Sequence, residues 1–142
     1  MRIKNITRKY VFVLFVLGIM LSLTGCYAIK EKNYYSDKSN FITGSAKVEN
    51  IIYDEESNSV YFWLNKIDEA YQDSTFKVEG ENVDILFEKN IFETIGIGDE
   101  IIFTSAPRYF GDGYCMPIVA ISHEDEEILS FEEGYENFMK LY

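Results

Sequence analysis

A small, mainly β domain with one terminal helix is the fold class that the sequence predicts, and three observations predict it. From Gly44 onward, short aromatic and β-branched runs alternate with clusters of turn-forming residues, the texture of an all-β barrel or sandwich. The chain's 11 Tyr and 11 Phe against only two Pro suit half-buried pleated strands. Only the last segment, SFEEGYENFMKLY at 130–142, carries a clean helical signature.

Each element can be justified in turn. SAKVENIIYD at 45–54 alternates imperfectly and runs into the turn cluster EESNS at 55–59. VYFWLNKI at 60–67 is apolar on both faces, as a central strand should be. STFKVEG at 74–80 directs Phe76 and Val78 inward and Lys77 and Glu79 outward. The next stretch fits two periods: Val83, Ile85 and Phe87 alternate, while Val83, Phe87, Ile91 and Ile95 follow a helical stripe. The reading adopted is a strand at 83–88 and a helical turn at 90–95. Gly98 then turns the chain into the strand DEIIFTSAP at 99–107, and YFGDGY at 109–114 makes another turn. CMPIVAIS at 115–122 is the last expected strand, with Pro117 marking an edge or a bulge.

In the terminal helix, Ser130 and Glu133 form a capping box, and Glu132 and Glu133 suit the positive end of the helix dipole. Phe131, Tyr135, Phe138 and Tyr142 share one face. Gly134 costs the helix about 1 kcal/mol relative to Ala, so this element needs tertiary docking to hold.

The chain begins differently. Arg2, Lys4, Arg8 and Lys9 make a positive start, and no residue from Tyr10 to Gly25 is charged, which is the layout of a helical secretory signal segment. The apolar run is short of the roughly 20 residues a bilayer span requires; an uncleaved membrane helix is the alternative. Leu23, Thr24, Gly25 and Cys26 complete the segment, and LTGC resembles the lipobox of bacterial lipoprotein precursors. The resemblance implies a diacylglyceryl group on the Cys26 sulfur and cleavage before Cys26, and it implies nothing about the domain behind. Two acyl chains anchor stably where one binds only reversibly.

The expected organisation is therefore a signal peptide at 1–25, an anchor cysteine and flexible tether at 26–43, and a β-rich domain with its C-terminal helix at 44–142. Residues 27–43, YAIKEKNYYSDKSNFIT, are polar and mixed in charge without a sustained period. They read as coil with a reach of about 20 to 25 Å, a first strand being the alternative.

Composition sets further bounds. Without residues 1–25, nine Lys and Arg face 24 Asp and Glu, a formal charge of −15. Such an excess argues against nucleic acid, whose affinity rests on cations neutralising phosphates, and against lying flat on anionic head groups. Cys26 and Cys115 are the only cysteines, so lipidation of one leaves no disulfide framework. Abundant Ile, Lys, Asn, Tyr, Phe and Glu with scarce Pro and Arg point to an AT-rich genome. The corresponding location is the outer face of the cytoplasmic membrane of a Gram-positive bacterium.

About five strands, a short helix before the fourth or fifth, and the phrase IGIGDEIIF resemble the layout of oligonucleotide/oligosaccharide-binding (OB) folds over residues 44–122. The resemblance implies a small OB-like barrel. An immunoglobulin-like sandwich is the other architecture.

Parts for catalysis are few. His123 is the only histidine, which excludes a multi-histidine metal centre in one chain. Cys115 and His123 would stand about 27 Å apart along one strand, too far for a nucleophile and base, so Cys115 is assigned to the core. HEDEE at 123–127 and DEE at 54–56 concentrate carboxylates but lack the spacing of a calcium loop. No catalytic residue, metal or cofactor is assigned. Tyr61 and Trp63 share one face of a strand, and with Tyr109, Phe110 and Tyr114 they form a possible platform for sugar rings or a peptide. The competing reading buries both strand faces, under the barrel interior and the C-terminal helix.

These features favour a non-catalytic binding or accessory module of the cell envelope. The alternatives are a carboxylate-dependent enzyme acting on envelope polymers and an immunity-type or structural partner protein.

Overall fold

The computed structural model describes residues 13, 14, 16, 25–110 and 113–142. The signal segment expected at 1–25 lies outside the described residues, apart from residues 13, 14, 16 and 25, which are helical. Among the described residues, no helix is long and apolar enough to cross a membrane. The chain divides into two compact units, Met1–Tyr34 and Tyr35–Tyr142.

Residues 25–36 are helical (α1), and one 3-10 turn follows at Lys38–Asn40. The coil expected at 27–43 is thus corrected. Ala28, Lys30, Glu31 and Lys32 are strong helix formers. Further along, Tyr35 and Phe41 are buried anchors, 2% and 9% exposed, that hold Tyr35–Phe41 against the domain. Isolated aromatics in a polar stretch produce no period, so pattern reading passes over them.

Six strands follow: β1 (Ile42–Asp54), β2 (Ser59–Asn65), β3 (Thr75–Glu79), β4 (Glu100–Ser105), β5 (Met116–His123) and β6 (Glu126–Leu129). Helices α2 (Glu81–Glu88) and α3 (Ile91–Thr94) connect β3 to β4, and α4 (Phe131–Met139) ends the chain. The strands form one sheet in the order β3-β2-β1-β4-β5-β6, and a parallel pairing of β3 with β5 closes it into a ring. The mainly β, small barrel-like fold with a short C-terminal helix is therefore as expected. A single closed sheet excludes the immunoglobulin-like sandwich.

One strand turns the corner of the barrel. β1 pairs with β4 from Ile42 to Lys47 and with β2 from Lys47 to Asp54, with a register shift between Val48 and Asn50. A bulge at that point bends the strand and lets its two halves serve different neighbours.

Period-two alternation fills the interior. Val60, Phe62 and Leu64 of β2, Phe76 and Val78 of β3, and Ile101 and Phe103 of β4 are all essentially inaccessible. Tyr71 packs its ring 5.4 Å from Phe76 and 5.3 Å from Phe103, and its hydroxyl donates to the Ile42 carbonyl. Burial, helped by the charge of Asp68, pushes the Tyr71 hydroxyl up to about 12, so it remains a donor.

The strand expected at 83–88 is corrected to helix α2. Asn82, Val83 and Leu86 are buried while Phe87 is 42% exposed, a helical stripe rather than an alternation. With β3 already paired to β2 and β5, no sheet position remains beside it. The helical turn expected at 90–95 is present as α3. Beyond the last expected strand, HEDEE at 123–127 carries the chain from the end of β5 into a sixth strand, β6. Glu124 and Asp125, at φ 48° and 65°, form a two-residue hairpin turn into β6, whose Ile128 and Leu129 are buried. Pro117 lies one residue into β5, before its pairing with β4 begins at Ile118, so the missing N–H breaks no bond in that ladder.

The expected cap of α4 is present: the Ser130 side chain accepts from the Glu133 N–H. Its aromatic face closes over the start of the domain, with Phe138 5.0 Å from Tyr35 and Tyr135 5.3 Å from Phe41. The Tyr135 hydroxyl donates to the Tyr35 carbonyl at 2.9 Å, and Lys38 lies 4.9 Å above the Tyr135 ring. Asn82, 1% exposed, donates to the Gly134 carbonyl at 2.8 Å and accepts from Asn137 at 3.1 Å. A buried amide bridging two helices is costly to orphan, about 1 to 3 kcal/mol.

Gly134 has a structural reason. A methyl group there would collide with the Val119 carbonyl of β5, because α4 rests its backbone directly on that strand. Helix propensity alone predicts that Gly134→Ala stabilises the protein by about 1 kcal/mol. The contact predicts the reverse, a loss of about 1 to 3 kcal/mol from overpacking, read as a lower urea midpoint.

Candidate functional site

The candidate aromatic residues fall into two separate pairs. On β2, Tyr61 and Trp63 point away from the core and keep part of their surface in solvent. Their ring centroids are 6.3 Å apart and tilted by 38°. Register fixes their neighbours: Tyr61 stands between Ile52 of β1 and Lys77 of β3, and Trp63 between Asn50 and Thr75. Lys77 is in turn opposite Pro117 of β5 and forms an ion pair with Glu79. The Tyr61 hydroxyl reaches 3.4 Å from Ser57 Oγ in the β1–β2 turn.

Tyr109 and Tyr114 form a second pair, 5.4 Å apart and nearly edge to face, in the loop between β4 and β5. Tyr109 is fixed from below by the core and donates its backbone N–H to Gln72 Oε1, while Tyr114 is 60% exposed. Cys115 follows, one residue before the Phe76↔Met116 pairing, so this pair enters the barrel wall beside β3. Among the described residues no ring contact joins the two pairs. Tyr61 and Trp63 lie on β2 and the Tyr109–Tyr114 pair precedes β5, with β3 between those two strands.

Phe110 has a different place. Its ring meets Tyr35 at 5.6 Å, edge to face, and so belongs to the seam between the start of the domain and α4. That helix lies on β5 and α2, leaving Tyr61 and Trp63 their partial exposure. Gly25 and Cys26 are helical and exposed, whereas Leu23 and Thr24 lie outside the described residues.

His123 and Cys115 flank β5 at its two ends. His123 places Nδ1 3.0 Å from the Glu100 carbonyl and Nε2 3.6 Å from Asp99, fastening β5 to the entry of β4. Burial pushes the Cys115 thiol up; Lys77 acts in the opposite direction, and Asp73 and Glu79 add to the rise. Among the described residues, no group of three or more His, Cys, Asp or Glu is arranged to hold a metal ion. In the DEE run at 54–56, Asp54 is engaged within its own turn by the Glu56 N–H and the Ser57 hydroxyl.

Two open depressions border these features. One, of about 490 Å³, lies between β4 and the β5–β6 hairpin and is lined by Glu100, Ser122, His123 and Glu127. The other, of about 500 Å³, is bounded by Tyr71, Gln72, Arg108 and Tyr109. Sequence reasoning missed Lys77 as a neighbour of Tyr61. Its outward direction was readable from STFKVEG, but its partner depends on a register that only the folded sheet defines.

Comparison with protein-family models, with curated proteins and with solved structures found no match for this chain.

The setting of Cys115 predicts its reactivity. With its folded value raised, the thiolate fraction at pH 8 falls below that of an unfolded cysteine and recovers only as pH rises further. In a Cys26→Ser background, alkylation by iodoacetamide at that pH should be slower in the native protein than in urea. Lys77→Gln, which removes the charge favouring thiolate, should slow it again.

Proposed function

We propose that this chain is an exported lipoprotein, anchored through a lipid on Cys26, whose barrel is a non-catalytic binding module at the outer surface of the cytoplasmic membrane. The observation that carries the binding role is the half-exposed Tyr61–Trp63 pair, held on a rigid strand with Lys77 and Asn50 as polar neighbours. Flat rings on a fixed strand present apolar faces at low ordering cost, and the flanking amine and amide supply directional hydrogen bonds. That combination suits an uncharged glycan strand or a peptide of the envelope. The formal charge of −15 beyond residue 25 disfavours polyanionic polymers, which would meet like charge throughout the surface.

The leader supports the anchoring half of this reading. A basic start, an uncharged run and LTGC arrive in the order that export and lipidation require. Lipid attachment would need no partner for Cys26 inside the domain, and its exposure leaves the sulfur accessible.

Two experiments test the two halves separately. Cys26→Ala should abolish incorporation of an alkyne-tagged fatty acid and release the protein from the membrane fraction; unchanged retention of that variant would refute lipid anchoring. Tyr61→Ala combined with Trp63→Ala should reduce retention on purified cell-wall glycan or peptide fragments by at least about tenfold, the loss of one to two stacking contacts. The urea midpoint should change little, because both rings are partly in solvent. Equal retention by the double variant would remove this face as the site.

A further inference from the structure

We propose that the corner where β1 meets α2 and α3 is a docking surface for an extended, cationic segment of another protein. This corner includes neither Tyr61 nor Trp63.

Three rings form the floor. Phe87 lies 4.8 Å from Tyr53, edge to face, and 5.9 Å from Phe92. Phe87 and Phe92 are 42% and 41% exposed, so apolar surface that could have been covered by the fold remains in solvent. Contiguous exposed rings of this kind mark interaction surfaces more often than scattered ones.

Carboxylates neighbour these rings along the chain. On α2, Asp84 lies one helical turn before Phe87 and Glu88, so all three share a flank, and both acids are exposed. Glu93 adjoins Phe92 on α3, and Asp54, Glu55 and Glu56 follow Tyr53 into the β1–β2 turn. Lys89, the cation next to this flank, is engaged with Glu126 at 3.7 Å.

The third feature is an open strand edge. β1 pairs with β4 only through Lys47, and the Val48 N–H and carbonyl are taken by Asp99 and Gly98. From Asn50 to Asp54, β1 pairs with β2 alone. The Ile51 N–H is met by the side chain of Asn50 at 3.0 Å rather than by another strand. An unpaired edge accepts an added strand, and the side chains beside it set which one.

Together these features select the occupant. Backbone pairing along the edge calls for an extended segment. Aromatic faces accept the stems and charged heads of Lys or Arg, and the exposed carboxylates of α2 choose the sign of charge. A second copy of this chain is disfavoured, since each copy would bring the same negative surface to the contact.

The test uses the full chain in a non-ionic detergent and two fluorescent probes, the heptapeptides Lys-Val-Lys-Val-Lys-Val-Lys and Glu-Val-Glu-Val-Glu-Val-Glu. Anisotropy should show saturable binding of the lysine peptide only, weakening at least about fivefold between roughly 50 mM and 300 mM salt. Asp84→Lys with Glu88→Lys should reduce affinity by at least about tenfold. Phe92→Ser should reduce it several-fold at unchanged helical content. Glu132→Lys with Glu136→Lys on α4 applies the same change of net charge elsewhere and should move affinity less than about twofold. Equal binding of both peptides would overturn the proposal. So would an equal loss from the α4 pair, which would assign the effect to overall charge. Concentration-dependent dimerisation that disappears in Phe92→Ser would overturn it in favour of a second copy.

Discussion

Closure of the sheet rests on a short parallel contact, Phe76 against Met116 and Lys77 against Pro117. Parallel strands need a crossover of a dozen or more residues between them. Here that path comprises α2, α3 and β4, and its apolar side chains have somewhere to go because the ring they seal is closed. Val83, Leu86, Ile91 and Ile95 are inaccessible, joining the same core as Phe62 and Phe76. The contact also sets the outer surface. By placing β3 between β2 and β5, it puts Lys77 between Tyr61 and Pro117 and separates the two aromatic pairs by one strand.

A second constraint acts outside the barrel. The domain's first and last residues meet in an aromatic seam of Tyr35, Phe41, Phe110, Phe131, Tyr135 and Phe138. Edge-to-face pairs at these spacings add about 0.5 to 1.5 kcal/mol each beyond the area they bury. The seam explains how a short helix containing glycine is stable: α4 is held by packing, and Gly134 is the residue that lets its backbone reach β5. It also fixes the segment from Tyr35 to Phe41, which lacks any strong propensity of its own for the path it takes.

Local patterns made part of this structure legible in the sequence. The alternation of Phe76 and Val78, the two-faced apolar run of β2 and the capping box at Ser130 each depend on a few adjacent residues. What failed was decided at a distance. Residues 83–88 satisfy two periods at once, and the choice falls to helix because the sheet has no place left for them. β6 was hidden because Glu126 and Glu127 are exposed and only Ile128 and Leu129 are buried, too short a pattern to stand out from an acidic turn. In the candidate site the residue types were legible, since paired aromatics on one strand face are visible from spacing. Their grouping was not: Phe110 leaves for the seam through Tyr35, 75 positions earlier in the chain, a contact no local pattern encodes.

The surface divides by chemistry as a result. Around Tyr61 and Trp63, acids are offset by Lys77 and separated by Asn50 and Thr75, so that face offers rings with mixed polarity. Around Phe87 and Phe92, the acids are spaced along α2 and α3 with Lys89 drawn toward Glu126. On the first face Lys77 is balanced by its ion pair with Glu79, whereas on the second Asp84 and Glu88 are exposed beside Phe87. The same excess of carboxylates is therefore spread unevenly over one small barrel: strand register sets Lys77 beside Tyr61, while the Lys89 that caps α2 is held by Glu126.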